Sequence, residues 1–310
     1  MGADVIAVVG PTATGKTALA VALARALDGE VVSVDSMQIY RGMDVGTAKP
    51  SPEERQGIPH HMIDVADPAE DWSVARYARE ATRCVEDIRA RGKRPILAGG
   101  TGLYLDALLT GQTFADAPDP ALRAALQARL AAEGPEALHG QLREVDPESA
   151  DRLPVTDTRR VLRALEIFLS TGETITEHDR KSRLLPPRYT AARIGLDFAR
   201  RQDLWARIDR RVDAMMERGL PDEVRRLLAA GVPPTCTAMQ AIGYKELTAA
   251  VLGHGSLAEA AETVKLRTRQ YAKRQRTWFR RSADTHWILW PSDEPDFSAA
   301  VRDSTDFLSA

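Results

Sequence analysis

The chain has 310 residues, of which 44% are hydrophobic and 28% charged, as is typical of a soluble globular protein with a sizeable core. Its formal net charge of −2 gives no support by itself for a nucleic-acid partner, so an RNA partner would need a local basic surface. Cys84 and Cys236 lie far apart, which argues against a disulfide framework and a zinc site, and no apolar run could cross a membrane, so we expect a cytoplasmic protein.

The first third of the chain alternates strands with helices. Continuous apolar runs predict buried parallel strands at Val5–Val9, 31–34 and 95–98. Helices are predicted at residues 16–27 and 72–91, the second with Ser73 as its N-cap. This alternation is typical of a parallel sheet covered by helices.

The pattern changes near Phe114, where a linker rich in Pro and Asp is predicted at residues 115–120. Beyond it only helices are predicted, at residues 121–132, 136–145 and 157–169, the last ending at Gly172. A second linker at 184–188 precedes strands at 192–196 and 286–290, which flank a long helix from about 257 to 281. We therefore predict an α/β core of residues 1–114 and 190–310, interrupted by an all-helical insertion domain at 115–189.

A phosphate loop follows the first strand. The pattern G-x-x-x-x-G-K-[ST] is matched in full by Gly10, Pro11, Thr12, Ala13, Thr14, Gly15, Lys16 and Thr17. In such loops backbone N–H groups and a helix N-terminus bind phosphate oxygens, while Lys16 adds positive charge and Thr17 can ligate Mg²⁺. The sheet core is thus predicted to be P-loop NTPase-like.

This loop specifies a polyphosphate, such as ATP or another nucleotide, but no reaction. A nucleotide kinase places an acidic metal ligand at the end of a later strand, whereas here Asp35 ends the second strand. Some small-molecule kinases also keep an Asp there, so a P-loop kinase remains an alternative, as does a non-catalytic RNA-binding protein. The loop, Asp35 and Thr101 all follow strands, so we expect them to meet in one pocket.

Six further blocks follow the phosphate loop in a characteristic order. They are DSMQIYRGMDVGTAKP at 35–50, PHHMID at 59–64, GGTGLY at 99–104, RALE at 163–166, AIGYKE at 241–246 and TRQYAKRQ at 268–275. In this order the blocks closely resemble the bacterial tRNA dimethylallyltransferases, also called tRNA isopentenyltransferases, over nearly the whole chain. The family usually has an Asn-Asp pair before Arg159, whereas here Thr156 or Asp157 would have to cap the helix.

The resemblance implies transfer of a dimethylallyl group from dimethylallyl diphosphate to N6 of the adenosine 3′-adjacent to the anticodon in certain tRNAs. The phosphate loop would hold the diphosphate, with Mg²⁺ on Thr17. Asp35 is then the general base or the acceptor that orients N6, the alternative being an acid that only holds Mg²⁺ or caps a turn. Thr101 would lie on the tRNA and metal side of the pocket, unless its hydroxyl only binds loop backbone.

One helix carries Asp203, Arg207 and Arg211 at spacings of four residues, so the three share a face. A surface salt-bridge ladder is one interpretation. Because the resemblance implies that this helix faces the active site, Arg207 and Arg211 are our candidates for stabilising the departing diphosphate.

For the anticodon stem-loop of tRNA, the family positions carry over to two groups of residues. Those of the predicted core are Asp35, Ser36, Met37, Gln38, Thr101, Gln240, Ala241, Ile242, Gly243, Tyr244 and Lys245. Those of the predicted insertion are Arg123, Arg159, Arg160, Val161, Leu162 and Arg163. Arg123 has an equal alternative as a solvated helix residue. We predict that the chain acts as a monomer.

The long C-terminal helix carries a basic stripe, formed by Arg269, Lys273, Arg276 and Arg280. Opposite it lie Val264, Tyr271 and Trp278. This pattern predicts that the apolar side packs on the core while the basic side faces solvent and binds RNA phosphates. A solvated basic face without a partner is the alternative.

Overall fold

The computed structural model describes residues 2–112, 114, 119–292 and 294–310. The chain divides into two compact units. We call Met1–Leu109 with Tyr189–Ala310 the core unit, and Thr110–Arg188 the helical unit. Most of the linker predicted at 115–120 lies outside the described residues.

A six-stranded parallel sheet forms the centre of the core unit, which confirms the predicted fold class. Its strands are β1 (Val5–Val9), β2 (Gly29–Val34), β3 (His60–His61), β4 (Arg94–Gly99), β5 (Ala191–Phe198) and β6 (Thr285–Trp290). Their order across the sheet is β3-β2-β4-β1-β5-β6. β1 is therefore central, with Ile6 paired to Ile96 of β4 and Val8 to Ile194 of β5.

The helices cover the sheet or belong to the helical unit. They are α1 (Lys16–Ala26), α2 (Pro52–Arg55), α3 (Val74–Ala90), α4 (Gly102–Thr110), α5 (Pro120–Glu133), α6 (Pro135–Val145), α7 (Pro147–Arg152), α8 (Thr158–Thr171), α9 (Ile175–Arg183), α10 (Arg201–Glu217), α11 (Leu220–Ala229), α12 (Tyr244–Val251), α13 (Leu257–Phe279) and α14 (Phe297–Ser309). Ser73 caps α3 as predicted, its hydroxyl accepting from the amide of Arg76 at 3.1 Å. No helix of the described residues is long and apolar enough to span a membrane.

The sheet is buried on both faces because successive residues of a strand point to opposite sides. Val5, Ala7 and Val9 belong to one apolar cluster, whereas Ile6 and Val8 belong to a second. The first cluster includes residues of α3, α4, α11 and α12, and the second residues of α1, α10 and α14. Both faces thus hold the central strand rigidly, together with the loop that follows it.

The helical unit has its own core. Leu126, Leu138, Leu142 and Leu165 are buried together, and none of the described residues of this unit forms a strand. Asp157 provides the cap of α8, accepting from the amide of Arg160, and α8 ends at Gly172, whose φ of 73° is left-handed.

The chain leaves the core unit and re-enters it at neighbouring points. The amide of Tyr189 donates to the carbonyl of Leu109 at 3.2 Å. The Tyr189 hydroxyl donates to Glu86 on α3 at 2.6 Å, which ties the re-entering chain to the core. The insertion of the helical unit therefore leaves the neighbouring strands β4, β1 and β5 in register.

Candidate functional site

The phosphate loop connects the carboxyl end of β1 to α1. Gly10 has a φ of 135° and Gly15 a φ of 88°, both in the region that favours glycine. A Cβ on Gly10 would lie 2.1 Å from the carbonyl oxygen of Leu196 on β5, so β5 excludes any other residue there. The Lys16 ammonium donates to the carbonyl of Pro11 at 2.7 Å, which folds this side chain back over the loop.

Two arginines of α10 reach this loop. Arg207 donates through Nε to the carbonyl of Ala13 at 2.9 Å, and Arg211 donates to the Thr12 hydroxyl at 3.1 Å. The structure thus places both predicted arginines beside the phosphate site. Asp203, on the same helix, instead forms an ion pair with Arg200 at 2.9 Å, so the salt-bridge interpretation holds for it.

Positive charge is concentrated in this site. Burial, followed by repulsion from Arg211, lowers the pKa of Lys16 to about 7, although Asp35 opposes the shift. Burial also lowers the pKa of Arg211. When an anion binds beside a cation whose charged form is destabilised in the free protein, the charged form is strongly stabilised.

Gln275 of α13 joins the phosphate loop to the loop after β4. Its Oε1 accepts from the amide of Thr12 at 2.8 Å, and its Nε2 donates to the carbonyl of Gly100 at 2.9 Å. Tyr271 lies one turn earlier on the same helix, and burial raises the pKa of its hydroxyl to about 12. Gln275 was not predicted as a site residue, although a polar side chain at a buried position of a helix was the available signal.

Asp35 follows β2 and starts a tight turn. Its Oδ1 accepts from the amides of Met37 at 2.9 Å and Gln38 at 3.3 Å. Among the described residues no other group is hydrogen-bonded to Asp35, so its Oδ2 is available to a ligand. The amide of Ser36 donates to the Thr101 hydroxyl at 3.1 Å, which holds Thr101 beside the turn of Asp35, although Thr101 lines neither of the two cavities described next.

Two adjoining cavities lie at these strand ends. The phosphate-loop cavity, of about 140 Å³, is lined by polar groups that include Thr12, Lys16, Thr17, Asp35, Arg211 and Gln275. The apolar cavity, of about 300 Å³, is lined by side chains that include Met37, Ile208, Val212, Met215, Leu220 and Val264. The two cavities share Thr12, Ala13, Asp35, Thr47, Arg211 and Tyr271. Asp35 therefore lies where the phosphate-loop cavity, which contains cations, meets the apolar cavity.

Metal ligands are sparse at this junction. Over the part of the chain that the structure describes, no three His, Cys, Asp or Glu side chains cluster closely enough to hold an ion by themselves. The oxygens of Thr17 and Asp35 nevertheless line one cavity. Mg²⁺ commonly takes only one or two protein oxygens together with substrate phosphates and water, so these residues fit it.

The residues predicted to contact RNA differ in accessibility within the core unit. Gln240 and Lys245 are exposed, and Gln240, Ala241, Ile242 and Gly243 line the apolar cavity. Tyr244, by contrast, is fully buried, and its hydroxyl donates to Glu223 at 2.6 Å. Direct contact between Tyr244 and RNA is therefore excluded in this conformation.

In the helical unit the predicted contacts also fall into two groups. Arg159 and Arg160 are exposed at the start of α8, whereas Val161 is buried in the core of the unit. Arg123 forms a two-pronged ion pair with Glu166, at 2.7 and 3.1 Å. Glu166 is 1% exposed, so Arg123 has at least a structural role.

The basic stripe of α13 is only partly directed at solvent. Arg276 binds the buried carboxylate of Asp197 at 2.7 Å, and Arg280 binds the same carboxylate at 3.3 Å. Arg269 pairs with Asp209 of α10 at 2.9 Å. The prediction that this side faces out is thus wrong for Arg269 and Arg276, because acids of neighbouring elements lie opposite them, whereas Lys273 is exposed.

Comparison with known proteins gives one family. The IPP transferase family model matches residues 38–282, well over half of the chain. The chain is 51% identical to the tRNA dimethylallyltransferase of Thermomicrobium roseum, over 91% of this chain and 85% of that protein. It is 49% identical to the tRNA dimethylallyltransferase of Geobacillus thermodenitrificans, over 100% of this chain and 97% of that one.

Solved structures agree with this assignment. The tRNA isopentenylpyrophosphate transferase of Bacillus halodurans superposes with a TM-score of 0.72 at 41% identity, covering 98% of this chain and 96% of that one. A eukaryotic dimethylallyltransferase acting on tRNA superposes with a TM-score of 0.84 at 31% identity, covering 98% of this chain and 79% of that one. The chain therefore belongs to the IPP transferase family.

Proposed function

We propose that this chain transfers a dimethylallyl group from dimethylallyl diphosphate to N6 of the adenosine 3′-adjacent to the anticodon in certain tRNAs, releasing diphosphate. The observation that carries the proposal is the direct junction of the phosphate-loop cavity with the apolar cavity, with Asp35 at the boundary. A prenyl diphosphate has the same division, with a charged head joined to an apolar tail. The relatives named above support the proposal.

The phosphate-loop cavity suits the diphosphate. Lys16 and Arg211 line it, and so do Gly15 and Thr17 at the N-terminus of α1, where helix dipoles favour anions. When the C1–O bond of the substrate breaks, its electron pair stays on the diphosphate, whose negative charge increases. Preorganised cations stabilise that charge most where water is excluded.

The dimethylallyl group suits the apolar cavity. Ile208, Val212 and Met215 of α10 line one side of it, and Val264 of α13 lines another. These side chains offer apolar contacts to five carbons but no hydrogen bond to a nucleoside. Ser36, Gln240 and Thr268 line the same cavity and could hydrogen-bond to the acceptor adenosine. The relatives named above disfavour the kinase alternative.

Asp35 is the group placed to assist the nucleophile. The N6 lone pair of adenine is delocalised into the ring, so attack on C1 requires that a proton be drawn away as the new N–C bond forms. The oxygen Oδ2 of Asp35 can accept that proton, while the two amide bonds to Oδ1 keep the carboxylate oriented. The Thr101 hydroxyl, which accepts from the amide of Ser36, is our candidate for orienting the incoming base.

Mg²⁺ is the cofactor that these residues would hold. Thr17 supplies the protein oxygen, and the remaining ligands would come from the diphosphate and water. When bound, the ion adds positive charge that stabilises the leaving diphosphate.

Transfer RNA would meet exposed groups of both units. Gln240, which lines the apolar cavity, and the exposed Lys245 are our candidates in the core unit, together with Lys273 on α13. Arg159 and Arg160 are the candidates in the helical unit. We propose that the helical unit contributes phosphate contacts, which would release counterions and make binding salt-dependent.

A transfer assay tests the proposal. The protein is mixed with unmodified tRNA and either radiolabelled dimethylallyl diphosphate or ATP labelled in its γ-phosphate. We expect label to enter tRNA only from the prenyl substrate, and digestion to nucleosides should yield N6-(dimethylallyl)adenosine. Phosphate transfer from ATP without prenylation would instead establish a kinase, and tRNA binding without either reaction would leave a binding protein.

A further inference from the structure

The carboxylate of Glu223, on α11, is buried against a distant loop. Glu223 is 1% exposed. It accepts from three successive amides of the loop after β2, those of Asp44 at 2.9 Å, Val45 at 2.9 Å and Gly46 at 3.1 Å. It also accepts from the hydroxyl of Tyr244 at 2.6 Å. One side chain thus satisfies four donors from two segments far apart in sequence.

These two segments form walls of the site. Gly46 and Thr47 line the apolar cavity, and Thr47 with Ala48 lines the phosphate-loop cavity. The residues just before Tyr244, from Gln240 to Gly243, line the apolar cavity from another side. Glu223 therefore connects both walls without lining either cavity itself.

The packing around the carboxylate is close. A Cβ on Gly46 would lie 2.5 Å from the ring of Tyr244, so the loop rests directly on that ring. Over the described residues, no Lys, Arg or His forms an ion pair with Glu223, so its charge is balanced by N–H and O–H dipoles alone. Such hydrogen bonds to a buried charge are strong and directional.

We propose that Glu223 is a positioning residue, which fixes the loop of residues 44–48 and thereby the pocket for the prenyl diphosphate. This inference rests on the function proposed above. Without the carboxylate, three loop amides lose their acceptor. Thr47, which follows them, keeps its bonds with Met43 and Gln38 but loses the support of residues 44–46.

Glu223→Gln is the direct test. Both carboxylate oxygens accept from N–H groups, so the amide NH₂ of Gln faces a donor in either orientation. We expect KM for dimethylallyl diphosphate to rise roughly ten- to hundredfold, because a displaced wall misplaces the substrate.

Glu30→Gln is the matched control. Glu30 is 2% exposed and binds His61 and Arg91, each at 2.8 Å, near the amino end of β2 and so at the opposite end of that strand from Asp35. Its loss should lower thermal stability without changing KM. A rise in KM as large as that of Glu223→Gln would overturn the inference, since any lost buried carboxylate would then have the same effect.

Tyr244→Phe keeps the test decisive if Glu223→Gln does not fold. This variant removes one of the four donors and keeps the ring against Gly46. We expect KM for dimethylallyl diphosphate to rise roughly two- to fivefold with kcat unchanged, as for a lost ground-state contact. An unchanged KM would overturn the inference.

Calorimetric binding of inorganic diphosphate separates this inference from the proposed function. Failure of the wild type to prenylate tRNA rejects the function alone. Equal diphosphate affinity in wild type, Glu223→Gln and Tyr244→Phe rejects the positioning role alone.

Discussion

Binding of a diphosphate should be coupled to protonation of Lys16. In the free protein the pKa of Lys16 is lowered to about 7, chiefly by burial and next by Arg211. A bound diphosphate places at least two negative charges beside the ammonium, which restores the charged form. The folded protein without ligand therefore binds fewer protons than the complex above pH 7, so affinity must fall as pH rises through this range.

The size of the effect follows from that pKa. About a tenth of Lys16 is neutral at pH 6 and about nine tenths at pH 8, so affinity should fall roughly tenfold between the two, or about 1.4 kcal/mol. Binding at pH 8 should take up about 0.9 proton, against about 0.1 at pH 6. Lys16→Arg is the control, because a guanidinium stays charged throughout.

Titration calorimetry in buffers of different ionisation enthalpy measures this proton uptake directly. Ionisation of the ligand affects both proteins equally, so the difference between wild type and Lys16→Arg isolates the lysine. Equal proton uptake by the two proteins at pH 8 would refute the reasoning, since Lys16 would then be charged before the ligand arrives.

Three further predictions concern other residues. Asp35→Asn should slow single-turnover transfer about 10²–10⁴-fold while diphosphate and tRNA still bind, and an unchanged rate would remove the base from the mechanism. Thr17→Ala should raise both KM for dimethylallyl diphosphate and the Mg²⁺ concentration for half-maximal activity; identical Mg²⁺ titrations would show that its hydroxyl is not a ligand. Arg276→Ala should destabilise the fold by about 2 kcal/mol in urea unfolding, because buried Asp197 loses one of the two arginines that pair with it. An unchanged unfolding midpoint would mean that this pair adds no stability.

Local patterns predicted the central elements of the fold well. Val5–Val9 is a strand with the predicted bounds, and Asp157 and Gly172 delimit α8, because each depends on residues close in sequence. The two-residue strand His60–His61 was missed, since it is too short to show a periodic pattern. It exists only because its backbone pairs with β2 at Val31 and Val32.

Long-range partners explain the remaining differences. A helical wheel separates the sides of α13 but cannot show that Asp197, on a strand, lies opposite Arg276. The spacing of Glu223 in the sequence could have predicted its burial, since it shares one side of α11 with the buried residues Leu220, Val224 and Leu227. A carboxylate at such a position indicates a buried acceptor, but the loop that it binds is known only from the structure.

The hydrogen bond between Tyr189 and Leu109 makes the insertion a replaceable module. Two cuts, after residue 109 and before residue 189, would release the helical unit without breaking any strand pairing of the sheet. Joining the cut ends by a short turn would reduce the entropic cost of closing this loop, and so the free energy needed to fold the core, by roughly 2–3 kcal/mol. The same two junctions would let relatives exchange helical units, and the RNA preference of such a chimera would show which unit determines it.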